Sequence, residues 1–171
     1  MKNLLLTGPP GVGKTTLVRQ VVASGLEIAG GFYTEEIREA GRRVGFKIRT
    51  LDGQDALLAH VNCRSEFRVG QYGVNVAAFE DVGVRSIEAA LGGRGLVVMD
   101  EIGRMELFSE KFQEAVIRAL DSPRRVFGVI QMRRNHFLDA VRRRTDTQVV
   151  AVTLENRDAL LSEIAALLNG P

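Results

Sequence analysis

The 171-residue sequence contains little cysteine and little proline. Its one cysteine, Cys63, rules out a disulfide within the chain and suits a reducing compartment. With four prolines, no repeats and no low-complexity tract, the sequence offers no evident linker, so we expect residues 1–171 to form a single domain. The hydrophobic content of 45% is enough to fill one sizeable core.

Long hydrophobic runs and a strong charge of either sign are also missing. No stretch approaches the roughly 18 apolar residues that a membrane-spanning helix needs, and no targeting segment is visible. The formal net charge is only +2, which gives no indication of nucleic-acid binding. We therefore expect a cytoplasmic protein without a membrane partner, we find no indication of a nucleic-acid partner, and we take a monomer as its state.

The most informative segment present is a phosphate-binding pattern, G-x-x-x-x-G-K-[ST], near the start of the sequence. It consists of Gly8, Pro9, Pro10, Gly11, Val12, Gly13, Lys14 and Thr15. An apolar run precedes it and helix-forming residues follow it, as this pattern requires. Such a loop turns backbone N–H groups towards a polyphosphate at the N-terminus of the next helix. The alternative, a glycine-rich turn without a ligand, rarely has both flanking features.

Three side chains of this segment have predicted roles in nucleotide binding. Lys14 is expected to reach the β- and γ-phosphates, and the Thr15 hydroxyl is expected to bind Mg²⁺. Thr16 either caps the helix or faces the α-phosphate. The sequence therefore predicts a site for a nucleoside triphosphate with Mg²⁺.

A second motif lies at residues 96–101, where four apolar residues are followed by Asp100 and Glu101. The apolar run is typical of a strand buried on both faces of a parallel sheet, and ligands bind at the carboxyl ends of such strands. We expect Asp100 to join the Mg²⁺ shell and Glu101 to act as the general base for an attacking water. A solvated strand end is the alternative, which the upstream phosphate loop disfavours.

The order of the predicted elements indicates an α/β fold. Alternation with period two on both sides of residues 39–42 predicts an antiparallel hairpin inserted after the first helix, with a further turn at 52–53. From residue 84 onwards helices and strands alternate, which predicts a mostly parallel sheet flanked by helices. The predicted helices span 14–24, 84–91, 108–121, 136–143 and 156–168, and the predicted core strands span 3–7, 95–99, 125–131 and 147–153.

Four segments behind the phosphate loop also resemble a known family. They are residues 31–36, 42–46, 68–75 and 100–106, of which the last, D-E-I-G-x-M-E, is the most specific. Over nearly its whole length the sequence resembles the small P-loop nucleoside triphosphatases of thermophilic archaea and bacteria, which have a human relative called cancer-related nucleoside triphosphatase. The resemblance implies Mg²⁺-dependent hydrolysis of ATP, GTP and other nucleoside triphosphates to the diphosphate and phosphate, with little base selectivity.

The resemblance also implies the RecA-like branch of the P-loop fold, in which an extra strand separates the loop strand from the acidic strand. We expect the strand at 125–131 to be that extra strand. Gln131 then falls where such proteins often carry a polar residue that senses the γ-phosphate. A solvated strand end is the alternative for this residue.

Further candidates concern the transition state and the base. Arg104 is the cation nearest in sequence to Glu101, while Arg133, Arg134 and residues 142–144 lie on a segment that either folds over the nucleotide as a lid or forms a solvated helix face. Asn156, in the loop after the last strand, either contacts the base or caps the final helix. That loop lacks the N-K-x-D pattern of guanine-specific sites, so strict GTP selectivity is not expected.

Three function classes are compatible with these features. The leading hypothesis is a Mg²⁺-dependent nucleoside triphosphatase. The second is a nucleotide-dependent binding or switch protein linked to RNA or to a protein partner, in which slow hydrolysis times the interaction. The third is a nucleotide or small-molecule kinase, for which a carboxylate aimed at water, as expected of Glu101, has no evident use.

Overall fold

The computed structural model describes residues 1–169, whose strands form one continuous nine-stranded sheet. The strands are β1 (Asn3–Thr7), β2 (Ile28–Glu39), β3 (Arg42–Thr50), β4 (Asp55–His60), β5 (Arg68–Val69), β6 (Tyr72–Val74), β7 (Leu96–Ile102), β8 (Val126–Ile130) and β9 (Thr147–Ala151). Their order in the sheet is β5-β6-β4-β3-β2-β7-β8-β1-β9. The fold is the α/β fold with a mixed, largely parallel core that the sequence predicts.

Six α-helices pack on the sheet. They are α1 (Lys14–Val22), α2 (Val76–Phe79), α3 (Arg85–Gly92), α4 (Glu110–Asp121), α5 (His136–Arg142) and α6 (Arg157–Asn169). A π-helical turn (Glu80–Val84) joins α2 to α3, and a 3₁₀-helix (Glu106–Phe108) precedes α4. Within residues 1–169, no helix combines the length and the apolar character needed to cross a membrane.

The predicted helix at 84–91 is only the last part of a longer helical run that begins at Val76. Asn75 starts this run, because its side-chain oxygen accepts a hydrogen bond from the Ala78 N–H at 3.1 Å. Such an N-cap satisfies one of the free donors of the first turn. The sequence-based helix boundary is therefore wrong at its N-terminal end by about two turns.

The RecA-like strand order is confirmed. β8 pairs in parallel with β1 on one side and with β7 on the other, so it separates the strand before the phosphate loop from the strand that ends in the acids. β9 pairs in parallel with the free edge of β1. The carboxyl ends of these four strands meet at one edge of the sheet, where ligands bind in α/β folds.

The predicted hairpin after the first helix is present, and it extends the central sheet. The first part of β2 pairs in parallel with β7, and its second part pairs antiparallel with β3. β4, β6 and β5 continue the antiparallel part. β2 therefore links the parallel core to a four-stranded antiparallel extension formed by β3, β4, β6 and β5.

Two hydrophobic clusters cover the two faces of the sheet. Along β1 the side chains alternate, with Leu4 and Leu6 in one cluster and Leu5 in the other. Helices α1 and α6 supply buried residues to the first cluster, and α3, α4 and α5 supply them to the second. Because both faces are covered, the core strands are continuously apolar, as the sequence pattern predicts.

Gly31 on β2 is a position where the fold leaves no room for a side chain. Its φ is +120°, and a Cβ there would lie 1.9 Å from the Val98 carbonyl oxygen on β7. We expect Gly31→Ala to lower the free energy of unfolding by about 3 kcal/mol or more, because it adds a backbone clash to the strain of a positive φ. Gly53→Ala is the control, since Gly53 has a φ of +92° and open space around it.

Urea unfolding of both variants measures the difference. The control is expected to lose about 1–2 kcal/mol, which is the cost of the left-handed backbone conformation alone. Equal losses in the two variants would contradict the close approach of β2 to β7 at this point.

Candidate active site

The phosphate loop joins the end of β1 to the start of α1. Three of its glycines, Gly8, Gly11 and Gly13, have positive φ values of 155°, 77° and 107°. α1 begins at the next residue, Lys14, so the free N–H groups of its first turn open towards the loop. The local sequence thus produces a glycine-rich loop at a helix N-terminus, a geometry that suits an anion.

The end of β9 fixes the start of this loop. The Val152 N–H donates a 2.7 Å hydrogen bond to the Thr7 carbonyl oxygen, and a Cβ at Gly8 would lie 2.6 Å from the Val152 carbonyl oxygen. Val12 is buried in the cluster on the α1 face. The outer residues Pro9, Pro10 and Gly11 are exposed. The loop is therefore anchored at both ends, with its middle open to solvent.

Lys14 lies over the loop with its side chain half-buried. Its Nζ donates to the Gly8 and Pro9 carbonyl oxygens, at 2.8 Å each. Burial lowers the pKa of Lys14, and the negative charges of Glu101 and Asp100 oppose that shift. The structure therefore places the ammonium group within electrostatic range of both acids.

Asp100 is a buried acid at the carboxyl end of β7, with only 2% of its surface exposed. The Thr34 hydroxyl donates a 2.7 Å hydrogen bond to its backbone oxygen. Burial raises the pKa of Asp100 to about 7, against a hydrogen bond from the Thr15 side chain. Among residues 1–169, no hydrogen-bond partner reaches its Oδ2 atom.

These features of Asp100 and Thr15 suit a hard divalent cation. A buried carboxylate oxygen without a partner, next to a hydroxyl group, is the oxygen chemistry that Mg²⁺ prefers. The part of the chain that the structure describes holds no cluster of three or more histidine, cysteine or acidic residues able to bind a metal.

Glu101 follows Asp100 and lies at the same edge of the sheet. Burial raises the pKa of Glu101, while the charge of Lys14 and a hydrogen bond from Gln131 oppose the shift. A carboxylate with a raised pKa is a stronger proton acceptor than an exposed one. The structure thus brings together Lys14, Thr15, Asp100 and Glu101.

The loop after β7 connects Glu101 to the end of β8. The Gln131 Nε2 donates to the Glu101 Oε1 at 2.9 Å, and the Arg104 N–H donates to the Gln131 Oε1 at 2.8 Å. Gln131 is therefore not a solvated strand end. Arg104 itself is exposed at this edge.

Of the two alternatives for the arginine segment, a lid over the nucleotide or a solvated helix face, the lid does not fit the contacts of Arg142 and Arg144. Arg142 donates to the Gln131 and Arg133 carbonyl oxygens and pairs with Asp139, which fixes α5 to the preceding loop. Arg144 pairs with Asp121 and Asp146, next to the first residue of β9 and hence at the opposite end of the sheet from the phosphate loop. Arg142 is the last residue of α5 and Arg144 lies in the turn before β9, and their side chains bond to different segments.

Asn156 and Thr16 are not among the four residues that the site brings together. The Asn156 Oδ1 accepts from the Thr153 N–H, and its Nδ2 donates to the Ala151 carbonyl oxygen, both at 2.8 Å. The side chain therefore closes the loop after β9 and does not cap α6. Thr16 is exposed on the first turn of α1. A contact of either residue with a nucleotide stays a prediction.

Two residues near the site were not identified from the sequence. Glu106 is a fully buried acid in the 3₁₀-helix, and burial together with the charge of Glu101 raises the pKa of Glu106 well above its usual value. The Nη1 atom of Arg157 lies 3.5 Å from the Val12 carbonyl oxygen, so this side chain lies over the phosphate loop. The only sequence signal for Glu106 was its place in the D-E-I-G-x-M-E segment, and Arg157 had none.

The phosphate loop between β1 and α1, together with two acids at the end of β7, which one further strand separates from β1, defines an α/β protein of the P-loop NTPase class. Residues 3–165 match the profile of the family described as NTPase. The nucleoside-triphosphatase THEP1 of Thermotoga petrophila is 47% identical over 166 residues, which cover 97% of this chain and 92% of that protein. The chain therefore belongs to the NTPase family, and the resemblance seen in the sequence is confirmed.

Two solved structures have the same fold. The crystal structure of THEP1 from Aquifex aeolicus has a TM-score of 0.89 at 37% identity, and it covers 98% of this chain and 99% of that one. The solution structure of a human cancer-related nucleoside triphosphatase has a TM-score of 0.84 at 38% identity, with 99% and 98% coverage.

Proposed function

We propose that this chain hydrolyses nucleoside 5′-triphosphates to the diphosphate and phosphate, with Mg²⁺ and little selectivity for the base. One observation carries the proposal. Glu101, a carboxylate with a raised pKa, lies beside the phosphate loop within electrostatic range of Lys14. A binding site alone needs the loop and its lysine, whereas hydrolysis also needs a group that accepts a proton from water.

The phosphate loop and Lys14 hold the triphosphate in this proposal. The N–H groups at the start of α1 donate to phosphate oxygens, and the helix dipole favours their negative charge. Lys14 exchanges its hydrogen bonds to the Gly8 and Pro9 carbonyl oxygens for charge-assisted ones to the β- and γ-phosphates. The γ-phosphoryl group is thereby oriented towards the carboxyl end of β7.

Thr15 and Asp100 are the residues that would hold Mg²⁺. A divalent ion held there would supply positive charge that offsets the negative charge of the triphosphate. The Asp100 carboxylate is already buried and lacks a partner at Oδ2 within the described part of the chain, so little rearrangement is needed to bind a cation. Thr34 fixes the backbone of Asp100 from the neighbouring strand.

Glu101 is the proposed general base. It accepts a proton from the attacking water while the oxygen of that water bonds to the γ-phosphorus and the diphosphate leaves. Burial raises the pKa of Glu101, which strengthens it as a base, and the nearby Lys14 charge favours its ionised form. Arg104, exposed on the same loop, is the proposed cation for the charge that develops on the γ-phosphoryl group.

Low base selectivity is supported by the loop after β9. In guanine-specific sites a side chain reads the base through hydrogen bonds, which requires free donors or acceptors. Both polar atoms of the Asn156 amide bind the backbone of this loop, which fixes the orientation of the amide. Because the loop also lacks the N-K-x-D pattern, we expect no strict selection of guanine.

Asp100→Asn is expected to raise the Mg²⁺ concentration that gives half-maximal activity by about tenfold or more. Even residues that only support a metal ligand are typically worth 10–100-fold in metal affinity. Phosphate release is measured as a function of Mg²⁺ at saturating triphosphate, with Asp81→Asn as the exposed control. An unchanged Mg²⁺ dependence in Asp100→Asn would remove this residue from the metal site.

Release of inorganic phosphate tests the proposed function directly. The purified protein is incubated with Mg²⁺ and ATP, GTP, CTP or UTP, without any phosphate acceptor. We expect comparable release from all four triphosphates. Release that requires an added acceptor would indicate a kinase, and slow release that RNA or a protein partner accelerates would indicate a switch protein.

We also propose that residues 1–171 act as one domain, as a monomer and in the cytoplasm. The continuous sheet supports the first point, because all nine strands of the described part belong to it. The single half-buried cysteine agrees with a reducing compartment.

A further inference from the structure

The Gln131 side chain makes two hydrogen bonds to which the proposed reaction assigns no role. Its amide nitrogen donates to Glu101 and its amide oxygen accepts from the Arg104 backbone. The hydrogen bond from Arg104 fixes the orientation of the Gln131 amide. An N–H group can only donate, so the amide oxygen must face Arg104 and the NH₂ group must face the Glu101 carboxylate.

The backbone and surroundings of Gln131 are fixed on several sides. Its N–H donates to the Ile102 carbonyl oxygen at 3.1 Å, and its carbonyl oxygen accepts from Arg142. Arg142 is in turn paired with Asp139 at 3.1 Å. The end of β8 is therefore linked to β7 on one side and to α5 on the other.

Gly103 packs against both the Gln131 and the Glu101 side chains and leaves no room for a Cβ. A Cβ at Gly103 would lie 2.9 Å from the Gln131 Cδ and 2.9 Å from the Glu101 Oε1. The two side chains thus pack directly over a glycine. A glutamate side chain has three rotatable bonds, and this contact holds its carboxylate in one orientation.

We propose that Gln131 is a positioning residue for water activation. It binds the Oε1 atom of Glu101 and so presents Oε2 to the attacking water. This inference rests on the proposed function, because it assigns Gln131 a role only if Glu101 is the base. It differs from direct sensing of the γ-phosphate, since the effect of Gln131 on the reaction passes through Glu101.

Steady-state kinetics of Gln131→Ala test the first consequence. We expect kcat to fall by roughly 10–100-fold, the usual effect of losing a group that orients a reacting residue. KM for the triphosphate is expected to stay within about twofold, since phosphate binding is left intact. Gln113→Ala is the matched control, because the Gln113 amide donates to the Leu107 carbonyl oxygen and not to a carboxylate, and it should keep the kcat of the unmodified chain.

A double-mutant cycle with Glu101→Gln tests whether Gln131 affects kcat through Glu101. If Gln131 acts through Glu101, Gln131→Ala has no further effect on kcat in the Glu101→Gln background. If Gln131 instead contacts the γ-phosphate, the two losses multiply, and the inference is wrong. Thermal unfolding of all variants shows whether loss of folded protein accounts for any change; a loss of kcat that merely follows loss of fold would also overturn the inference.

The same cycle separates this inference from the proposed function. Glu101→Gln with undiminished kcat would overturn the role of Glu101 and, with it, the role of Gln131. A large loss in Glu101→Gln together with multiplying losses in the double variant would leave the proposed function intact and reject the inference alone.

The Gln131→Glu variant is a third test. Its carboxylate still accepts a hydrogen bond from Arg104 but repels Glu101, so we expect a kcat no higher than that of Gln131→Ala.

Discussion

Glu101→Gln is expected to lower kcat by about 10²–10⁴-fold, the range that general-base catalysis contributes. Glutamine has nearly the same shape as glutamate, but its amide cannot accept a proton from water. Binding of the triphosphate should persist, because Lys14 and the phosphate loop are unchanged. Single-turnover phosphate release gives the rate, and titration with a fluorescent triphosphate analogue gives the affinity.

The control for this experiment is Glu114→Gln, which makes the same chemical change on an exposed face of α4. It should retain the kcat of the unmodified chain. A Glu101→Gln variant that hydrolyses triphosphates at the original rate would show that another group, or water alone, takes the proton.

Lys14→Ala is expected to weaken triphosphate binding by roughly 10²-fold or more. Removing one partner of a buried, hydrogen-bonded charge pair costs about 2–5 kcal/mol, and the half-buried Lys14 is the cation that the loop presents to the phosphates. The loss should appear in affinity, measured by calorimetry with a non-hydrolysable triphosphate analogue and Mg²⁺. It should also appear in kcat, since the γ-phosphoryl charge is no longer compensated.

Lys47→Ala is a suitable comparison for Lys14→Ala. Lys47 is also partly exposed and also lies near two acids, Glu35 and Asp55, but it belongs to β3 and not to the phosphate loop. Its removal should leave nucleotide affinity unchanged. Equal affinities of Lys14→Ala and the unmodified chain would contradict the assignment of the loop as the phosphate site.

The parts of the structure that the sequence predicted well are those encoded by local patterns. The phosphate loop is a continuous segment whose glycines adopt the positive φ values that the pattern implies. The run of apolar residues before Asp100 reflects a strand buried on both faces. The predicted fold and family are confirmed, because the chain matches the NTPase family and two solved structures.

The features that the sequence did not predict depend on contacts between distant segments. Gln131 was placed correctly at a strand end. Its hydrogen bond to Glu101 joins residues 30 positions apart, so no local sequence pattern predicts it. Arg142 and Arg144 are neighbours in sequence, yet the Arg142 side chain bonds to the residue after β8 and the Arg144 side chain bonds to Asp146 before β9. The burial of Glu106 likewise follows from packing of the segment after β7 and not from its own neighbours.

Hydrolysis of a triphosphate in ¹⁸O-labelled water, followed by mass spectrometry of both products, tests whether Glu101 activates a water molecule for attack on the γ-phosphorus. We expect one ¹⁸O atom in inorganic phosphate and none in the diphosphate, with this product lost in Glu101→Gln. Label in the diphosphate, or an equal rate of labelled phosphate from Glu101→Gln, would contradict this role of Glu101.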